Sequence, residues 1–157
     1  MLAIETKPIV EQLVDIAREY ETSYKGVHSY THDYNYHNAM LAKGAIITYV
    51  EQGVVLGYFE VWRINYHQFG RLICHDNWNQ LDEDITTGNL AYVANTWIHP
   101  DFRQGAVYKV LRNRFFAMCN KCEYYCGSAL RKRTQPIKVF KVKDLVNKLY
   151  KGEPNGK

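Results

Sequence analysis

The 157-residue sequence lacks any long apolar run. Its longest apolar stretches, Ala45–Val50 and Val54–Val61, are far shorter than the roughly 18 to 20 residues that a membrane-spanning helix needs. Acidic residues also occur throughout the first twenty positions, where a signal peptide would be apolar. We therefore expect a soluble, cytoplasmic protein with no membrane span.

Cysteine is scarce, with four residues, and three of them are bunched at Cys119, Cys122 and Cys126. They are too few and too clustered for the disulfide framework of a secreted protein, so reduced thiols are expected. The same spacing could supply thiolates to zinc, but no second pair of ligands completes a tetrahedral site. The sequence therefore predicts buried apolar packing of these thiols and no metal.

The composition is that of a globular domain, with 46% apolar, 23% charged and 14% aromatic residues. These proportions exclude a disordered, collagen-like or coiled-coil chain. The length is close to that of one typical domain. We predict a single folded domain over residues 1–150 and a flexible C-terminal tail over residues 151–157.

Charge is divided unevenly along the chain. Residues 1–100 contain 6 Lys and Arg against 12 Asp and Glu, whereas residues 101–157 contain 14 against 4. The basic end is suited to the phosphates of a nucleotide-like cofactor, to nucleic acid or to an acidic protein. A solvated basic face without a ligand is the alternative.

Hydrophobic periodicity predicts an α+β domain around one mixed, mostly antiparallel sheet flanked by helices. Residues 23–44 show no clear period and are expected to be irregular or short-helical. The predicted elements are a helix over 8–22, a hairpin of strands 45–50 and 54–64 with a bulge at Gly57, a strand over 90–98, a helix from Gly105, strands over 124–130 and 137–142, and helical turns over 144–150.

One junction combines a strand, a short polar turn and a helix. The strand ends before Pro100, and the helix begins near Gly105. The first N–H groups of a helix have no partner within the helix, and the helix dipole places positive charge there. Residues Arg103 to Val107 are therefore a predicted anion site.

The segment from Tyr92 to Arg112, YVANTWIHPDFRQGAVYKVLR, resembles the central motif of the GNAT acyltransferase superfamily. In that motif a strand ends in a Pro-x-x-Arg sequence, and a Gly-rich turn holds the coenzyme A pyrophosphate at a helix N-terminus. Arg103 and Gly105 match it, although the Arg-to-Gly spacing is one residue shorter. The resemblance implies a GNAT-like fold and an acyl thioester donor, acetyl-CoA or another, bound by Asn95, Thr96, Trp97, Ile98, Arg103, Gln104, Gly105, Ala106 and Val107.

A second resemblance is to the toxin-activating lysine acyltransferases, which share this fold and take their acyl group from acyl carrier protein. It depends on Thr87-Gly88-Asn89, Trp97-Ile98-x-Pro100 and the stretch from Gly105 to Arg112. That family uses a His near the first helix, matched here by His28 or His32. It also uses an Asp just before the strand tryptophan, where this chain has Thr96. Small phage-type GNAT-like proteins look similar as well.

Acyl transfer to an amine needs a proton acceptor, a polarised thioester carbonyl and a proton donor for the leaving thiolate. Backbone N–H groups around Trp97 are implied to polarise the carbonyl. The remaining candidates come from three groups of side chains. They are His28, His32 or His37 as the base, Glu60 or Asp101 as a base acting through water, and Tyr108, Tyr124 or Tyr125 as the acid.

Two functions follow from the sequence. The first is an N-acyltransferase that moves an acyl group from acyl-CoA or acyl carrier protein to an amine on a small molecule or a protein lysine. The alternative is a catalytically degenerate GNAT-like binding or structural protein, such as a phage or host-interaction factor. It would hold nucleic acid or a protein partner through a basic C-terminal face made of Arg131-Lys132-Arg133 and of Lys138, Lys141 and Lys143 on one side of the last strand.

Overall fold

The computed structural model describes residues 7–23, 34–73, 82–126 and 139–144. Four helices and five strands follow one another within these residues. In chain order they are α1 (Ile9–Ser23), α2 (Tyr34–Ala42), β1 (Ile46–Glu51), β2 (Val54–Ile64), α3 (Tyr66–Ile73), β3 (Leu90–Ile98), the 3-10 turn Pro100–Phe102, α4 (Ala106–Cys119), β4 (Tyr124–Cys126) and β5 (Val139–Lys141).

The five strands form one mixed sheet in the order β1-β2-β3-β4-β5. Among the described strands, β3 and β4 form the one parallel pair, and α4 connects these two strands along the chain. The other three pairs are antiparallel. The predicted α+β architecture with a mixed, mostly antiparallel sheet is confirmed.

Each face of the sheet is covered by helices. On one face, Leu13 of α1 and Met40 of α2 pack against Trp62 and Tyr92 of the central strands. On the other face, the apolar stripe of α4 packs against β2 and β3. The i, i+4 spacing of Val107, Leu111 and Phe115 produces that stripe, as the sequence predicts. The sheet therefore separates two apolar clusters, and its central strands are the most buried part of the fold.

The β1–β2 hairpin turns at Gln52 and Gly53, both of which have positive φ angles. Its register shifts by one residue, because Tyr49 faces Gly57 while Val50 faces Val55. The predicted bulge next to Gly57 is thus confirmed. Helix α3 was not predicted from the sequence, whereas α2 lies within the segment 23–44 that was expected to be irregular or short-helical.

The C-terminal strands differ in part from the prediction. Strand β5 ends at Lys141, and residues 142–144 are helical, so Lys143 does not lie on that strand. The prediction that Lys138, Lys141 and Lys143 share one face of the last strand is therefore wrong for Lys143. Lys138, Arg131–Arg133, most of the predicted helical segment 144–150 and the tail 151–157 lie outside the described residues. Within the described ranges, no helix is long and apolar enough to span a membrane.

Candidate acyl-donor and acceptor site

A bulge interrupts the pairing of β2 and β3 near the middle of both strands. Glu60 faces Asn95, but its neighbour Val61 faces Val93, so Ala94 is the extra residue. Bulges bend a strand and turn side chains to new directions. Here the bulge places the Asn95 side chain within hydrogen-bond reach of the Glu60 carboxyl.

Glu60 is only 1% exposed and lies on the sheet face that α1 and α2 cover. Its Oε2 accepts hydrogen bonds from the Tyr36 hydroxyl at 2.5 Å and from the Trp62 Nε1–H at 2.7 Å. Burial raises the pKa of the Glu60 carboxyl, and the hydrogen bonds from Tyr36, Trp62 and Asn95 oppose that rise. Glu60 therefore links α2 to the bulge of β3.

The turn after β3 is fixed by hydrogen bonds to β2, to the end of β3 and within the turn itself. The His99 N–H donates to the Leu56 carbonyl at 2.8 Å, and the Phe102 N–H donates to the His99 carbonyl at 2.8 Å. The Arg103 Nε–H donates back to the Ile98 carbonyl at 3.0 Å. The Arg103 side chain is thereby held beside the end of β3.

Gly105 occupies the N-cap position of α4 in an extended conformation. It has no side chain to accept hydrogen bonds from the first N–H groups of the helix, and the space where a Cβ would lie is open. Anions bind favourably at such a helix end. The start of α4, where the anion site Arg103 to Val107 is predicted, is therefore a helix N-terminus without a side-chain cap.

The N-terminal half of α4 lies unusually close to the sheet. A Cβ added to Gly57 of β2 would be 2.8 Å from Leu111 Cδ1 and 3.1 Å from Val107 Cγ1. A side chain at this position would require the Leu111 and Val107 side chains to shift. Gly57 therefore allows the start of α4 to pack closely on β2.

The outer edge of β3 is only partly paired. Strand β4, as described, ends at Cys126 opposite Tyr92. Within the described part of the chain, Val93–Ile98 thus has β2 on one side and no strand on the other. Thr96 is exposed, while Trp97 is half-buried and stacks on Tyr58. This edge, unpaired among the described strands, leads directly to the turn before α4.

A cleft of about 820 Å³ lies between α1 and the end of β3. The volume is in the range of small-molecule sites. Its walls combine aromatic, acidic and basic side chains. They include Asp15, Ile16, Glu19, Trp97, His99, Asp101 and Arg103.

Of the predicted catalytic residues that the structure describes, Glu60, His37 and Tyr108 do not line the cleft. Glu60 is buried in its network rather than open to the cleft, and His37 is 2% exposed with its ring edge against Tyr36. Tyr108 is 45% exposed on α4, where its ring contacts Phe59. His28 and His32 lie outside the described residues.

Sequence reasoning missed the partners of Glu60. Trp62 lies two residues along the same strand and therefore on the same face, so strand periodicity alone could have paired it with Glu60. Tyr36 is 24 residues away and reaches Glu60 only through the packing of α2. No local signal predicts that contact.

The described residues contain no group of three or more His, Cys, Asp or Glu that could hold a metal. Cys119, Cys122 and Cys126 are buried free thiols. Burial raises the pKa of both Cys119 and Cys126 to about 12, so these thiols stay protonated and unreactive at neutral pH. Their placement fits the predicted packing role.

No protein-family model matches the chain, and no curated protein sequence matches it. Among solved structures, it is similar to the loading GNATL domain of CurA from Lyngbya majuscula, with a TM-score of 0.51, 12% identity and coverage of 76% of this chain. It also aligns with the GphF GNAT-like decarboxylase in complex with isobutyryl-CoA, with a TM-score of 0.49, 11% identity and coverage of 73% of this chain. The chain spans about three fifths of the length of both structures, at 61% and 60%. The likeness to the CurA domain shows a GNAT-like fold, as the sequence resemblance implies.

Proposed function

We propose that this GNAT-like domain is an N-acyltransferase that moves an acyl group from an acyl thioester to an amine. The observation that supports it most is a continuous path. It runs from the edge of β3 that no described strand pairs, through the turn held by Arg103, to the N-terminus of α4, which has no side-chain cap. A donor with a phosphate-bearing head and an extended arm fits both parts of this path.

The donor phosphates would contact the backbone from Arg103 to Val107, where N–H groups and the helix dipole favour negative charge. Arg103 uses its Nε–H to bind Ile98, which leaves its terminal nitrogens for the anion. The arm of the donor would lie along Asn95, Thr96, Trp97 and Ile98 and pair with their backbone, as an added strand does.

The acceptor amine would enter from the cleft between α1 and β3. Its nitrogen attacks the thioester carbonyl carbon, the C–S bond breaks, the amine loses a proton and the leaving thiolate gains one. His28 or His32 would take the amine proton, and Tyr108 would return a proton to the thiolate. We assign Glu60 a positioning role, because it is buried and holds Asn95 at the bulge.

Gly105 offers a direct test of the donor site. A Cβ at this position meets no atom within 4 Å, and the backbone is extended, so Gly105→Glu should fold normally. Its carboxylate would stand against the donor phosphates. We expect isothermal titration to show acetyl-CoA binding to the parent chain and at least about tenfold weaker binding to Gly105→Glu.

Gly70→Glu is the matched control, because Gly70 on α3 also has open space around its Cβ position. It introduces the same charge and should leave binding unchanged. Equal acetyl-CoA binding by all three proteins would overturn the assignment of the donor site. If acetyl-CoA does not bind, the same comparison is made with an acylated acyl carrier protein. Failure of both donors would overturn the proposed function.

A further inference from the structure

A second cleft, of about 360 Å³, lies at the other end of α4. It is bounded by the end of α2, the start of β1, β2 beyond its bulge, the segment 85–86 and the end of α4. Its apolar wall is formed by Ala45, Val61, Ile85, Ala117 and Met118. The volume is enough for a small molecule and far more than one water needs.

Three basic side chains surround this cleft. They are Lys43 from the end of α2, Arg63 from β2 and Lys121 just after α4. In the part of the chain that the structure describes, no carboxylate side chain lines the cleft. The first hundred residues are acidic overall, so this concentration of positive charge arises from folding and not from the sequence order.

Two acidic residues, Glu83 and Asp84, lie beside this cleft, and the Lys43 ammonium donates to the Glu83 backbone carbonyl at 3.4 Å. The Glu83 carboxylate is 2.9 Å from the Arg71 guanidinium. The Asp84 carboxylate accepts hydrogen bonds from the Thr86 N–H and hydroxyl and from the Thr87 hydroxyl. Glu83 is thus paired with a cation, whereas the described donors to the Asp84 carboxylate are all neutral, and this group keeps its charge next to Thr86 at the edge of the cleft. The three basic residues that line the cleft outnumber this one carboxylate, so the local charge is positive.

Arg63 is held in place without being neutralised. Its Nε–H donates to the Gly88 carbonyl at 3.2 Å, and its Nη2 donates to the Lys121 carbonyl at 3.4 Å. Both acceptors are uncharged. A guanidinium has five N–H donors, so three remain after these two contacts. An arginine fixed in this way is well suited to a phosphate or another planar or tetrahedral oxyanion.

We propose that this cleft binds a small organic phosphate, whose doubly charged group lies among Lys43, Arg63 and Lys121 and whose apolar part lies against Val61, Ile85 and Met118. Three cations match a phosphate monoester better than a singly charged carboxylate. The apolar wall favours an ester over inorganic phosphate. The inference is independent of the proposed acyl transfer, because the donor path lies at the opposite end of α4.

The same lysines also lie near the C-termini of α2 and α4, where positive charge stabilises a helix. If the lysines had only this structural role, substituting them would change the stability of the fold but would not change ligand binding. A binding measurement that also shows where on the protein the ligand binds therefore separates the two roles.

The test uses phenyl phosphate as the probe and follows the backbone amide signals of the full chain by NMR. We expect saturable shifts centred on Gly44, Thr86 and Lys121, weaker binding as salt is added, and no such shifts with neutral benzyl alcohol. Lys121→Glu should weaken phenyl phosphate binding by at least about tenfold. Its backbone carbonyl, which holds Arg63, is retained in this variant.

Lys109→Glu is the matched control, because Lys109 is exposed on α4 and does not line the cleft. It should change the affinity by less than about twofold. The proposal is overturned if the shifts centre on Gly105 and Val107 instead, if Lys121→Glu and Lys109→Glu bind equally well, or if phenyl phosphate produces no saturable shift. Of these outcomes only the first bears on the proposed acyltransferase, because shifts at Gly105 and Val107 would place an anion at its donor site. The other two leave acetyl-CoA binding untouched.

Discussion

Folding removes the Glu60 carboxyl group from water and surrounds it with neutral hydrogen-bond donors rather than with a cation. Its contacts are the Tyr36 hydroxyl, the Trp62 indole N–H and Asn95. Desolvation disfavours the charged form more than these three donors favour it, so the pKa is raised in the folded state. The burial of Glu60 therefore makes the free energy of unfolding depend on pH.

The direction of that dependence follows from proton linkage. A raised pKa means that the folded state binds the proton more tightly than the unfolded state, so the stabilising contribution is complete below the unfolded pKa, near 4.5. It is lost as the pH rises through the folded pKa. Glu60→Gln keeps a neutral group of the same shape and removes this loss. We expect the free energy of unfolding of Glu60→Gln, relative to the parent, to increase as the pH rises from 4.5 to 8 in urea titrations.

Glu51→Gln is the control, because Glu51 is exposed at the end of β1. The difference in the free energy of unfolding between Glu51→Gln and the parent should be nearly constant over the same pH range. A pH-independent difference for Glu60→Gln would contradict the raised pKa of Glu60.

At the scale of elements, α1 is joined to the hairpin through one side chain. Gln12 donates from Nε2 to the Gly53 carbonyl at 2.8 Å, and its Oε1 accepts from the Val55 N–H at 2.8 Å. The Gln12 side chain thus satisfies backbone groups at the start of β2 in the way that a neighbouring strand would. It also lines the larger cleft, so the docking of α1 determines the shape of the proposed acceptor site.

Removing this side chain should weaken the docking of α1. Gln12→Ala leaves the Val55 N–H without its partner, and an unsatisfied part-buried backbone group costs about 1 to 3 kcal/mol. We expect a loss of this size in the free energy of unfolding from urea titrations. Gln12→Glu keeps the acceptor for Val55 and should lose less. Glu11→Ala, at an exposed neighbouring position, should stay within about 0.5 kcal/mol of the parent.

Local patterns predicted the elements that have their own sequence signals. Helices α1 and α4 follow from apolar spacing, the hairpin from Gly53 and its flanking β-rich runs, and β3 from an apolar run that stops before Pro100. Helix α3 was missed because it is only eight residues long and places few apolar side chains in the core, Leu72 within it and Phe69 against it. The site was predicted as far as the strand, turn and helix that are contiguous in sequence.

Contacts between segments that are far apart along the chain could not be predicted from the sequence. The Tyr36–Glu60 hydrogen bond depends on how α2 packs on the sheet. The basic cleft joins Lys43, Arg63 and Lys121, which no local pattern relates. The proposed basic stripe near the C-terminus was read from spacing alone, and the end of β5 at Lys141 removes Lys143 from it. The roles of His28, His32, Tyr108 and the donor-binding residues stay predictions.

At the scale of the whole molecule, donor binding must stabilise the entire fold, because the proposed site joins elements on both sides of the sheet. A ligand at about 100 times its dissociation constant adds roughly 2.7 kcal/mol to the free energy of unfolding, which raises the Tm of a domain this size by about 5 to 10 °C. We expect this rise with acetyl-CoA. Pantetheine has no nucleotide phosphates for the N-terminus of α4, so it should raise the Tm much less. An equal rise with both compounds would show that the phosphates make no contribution and would contradict the anion site at Gly105.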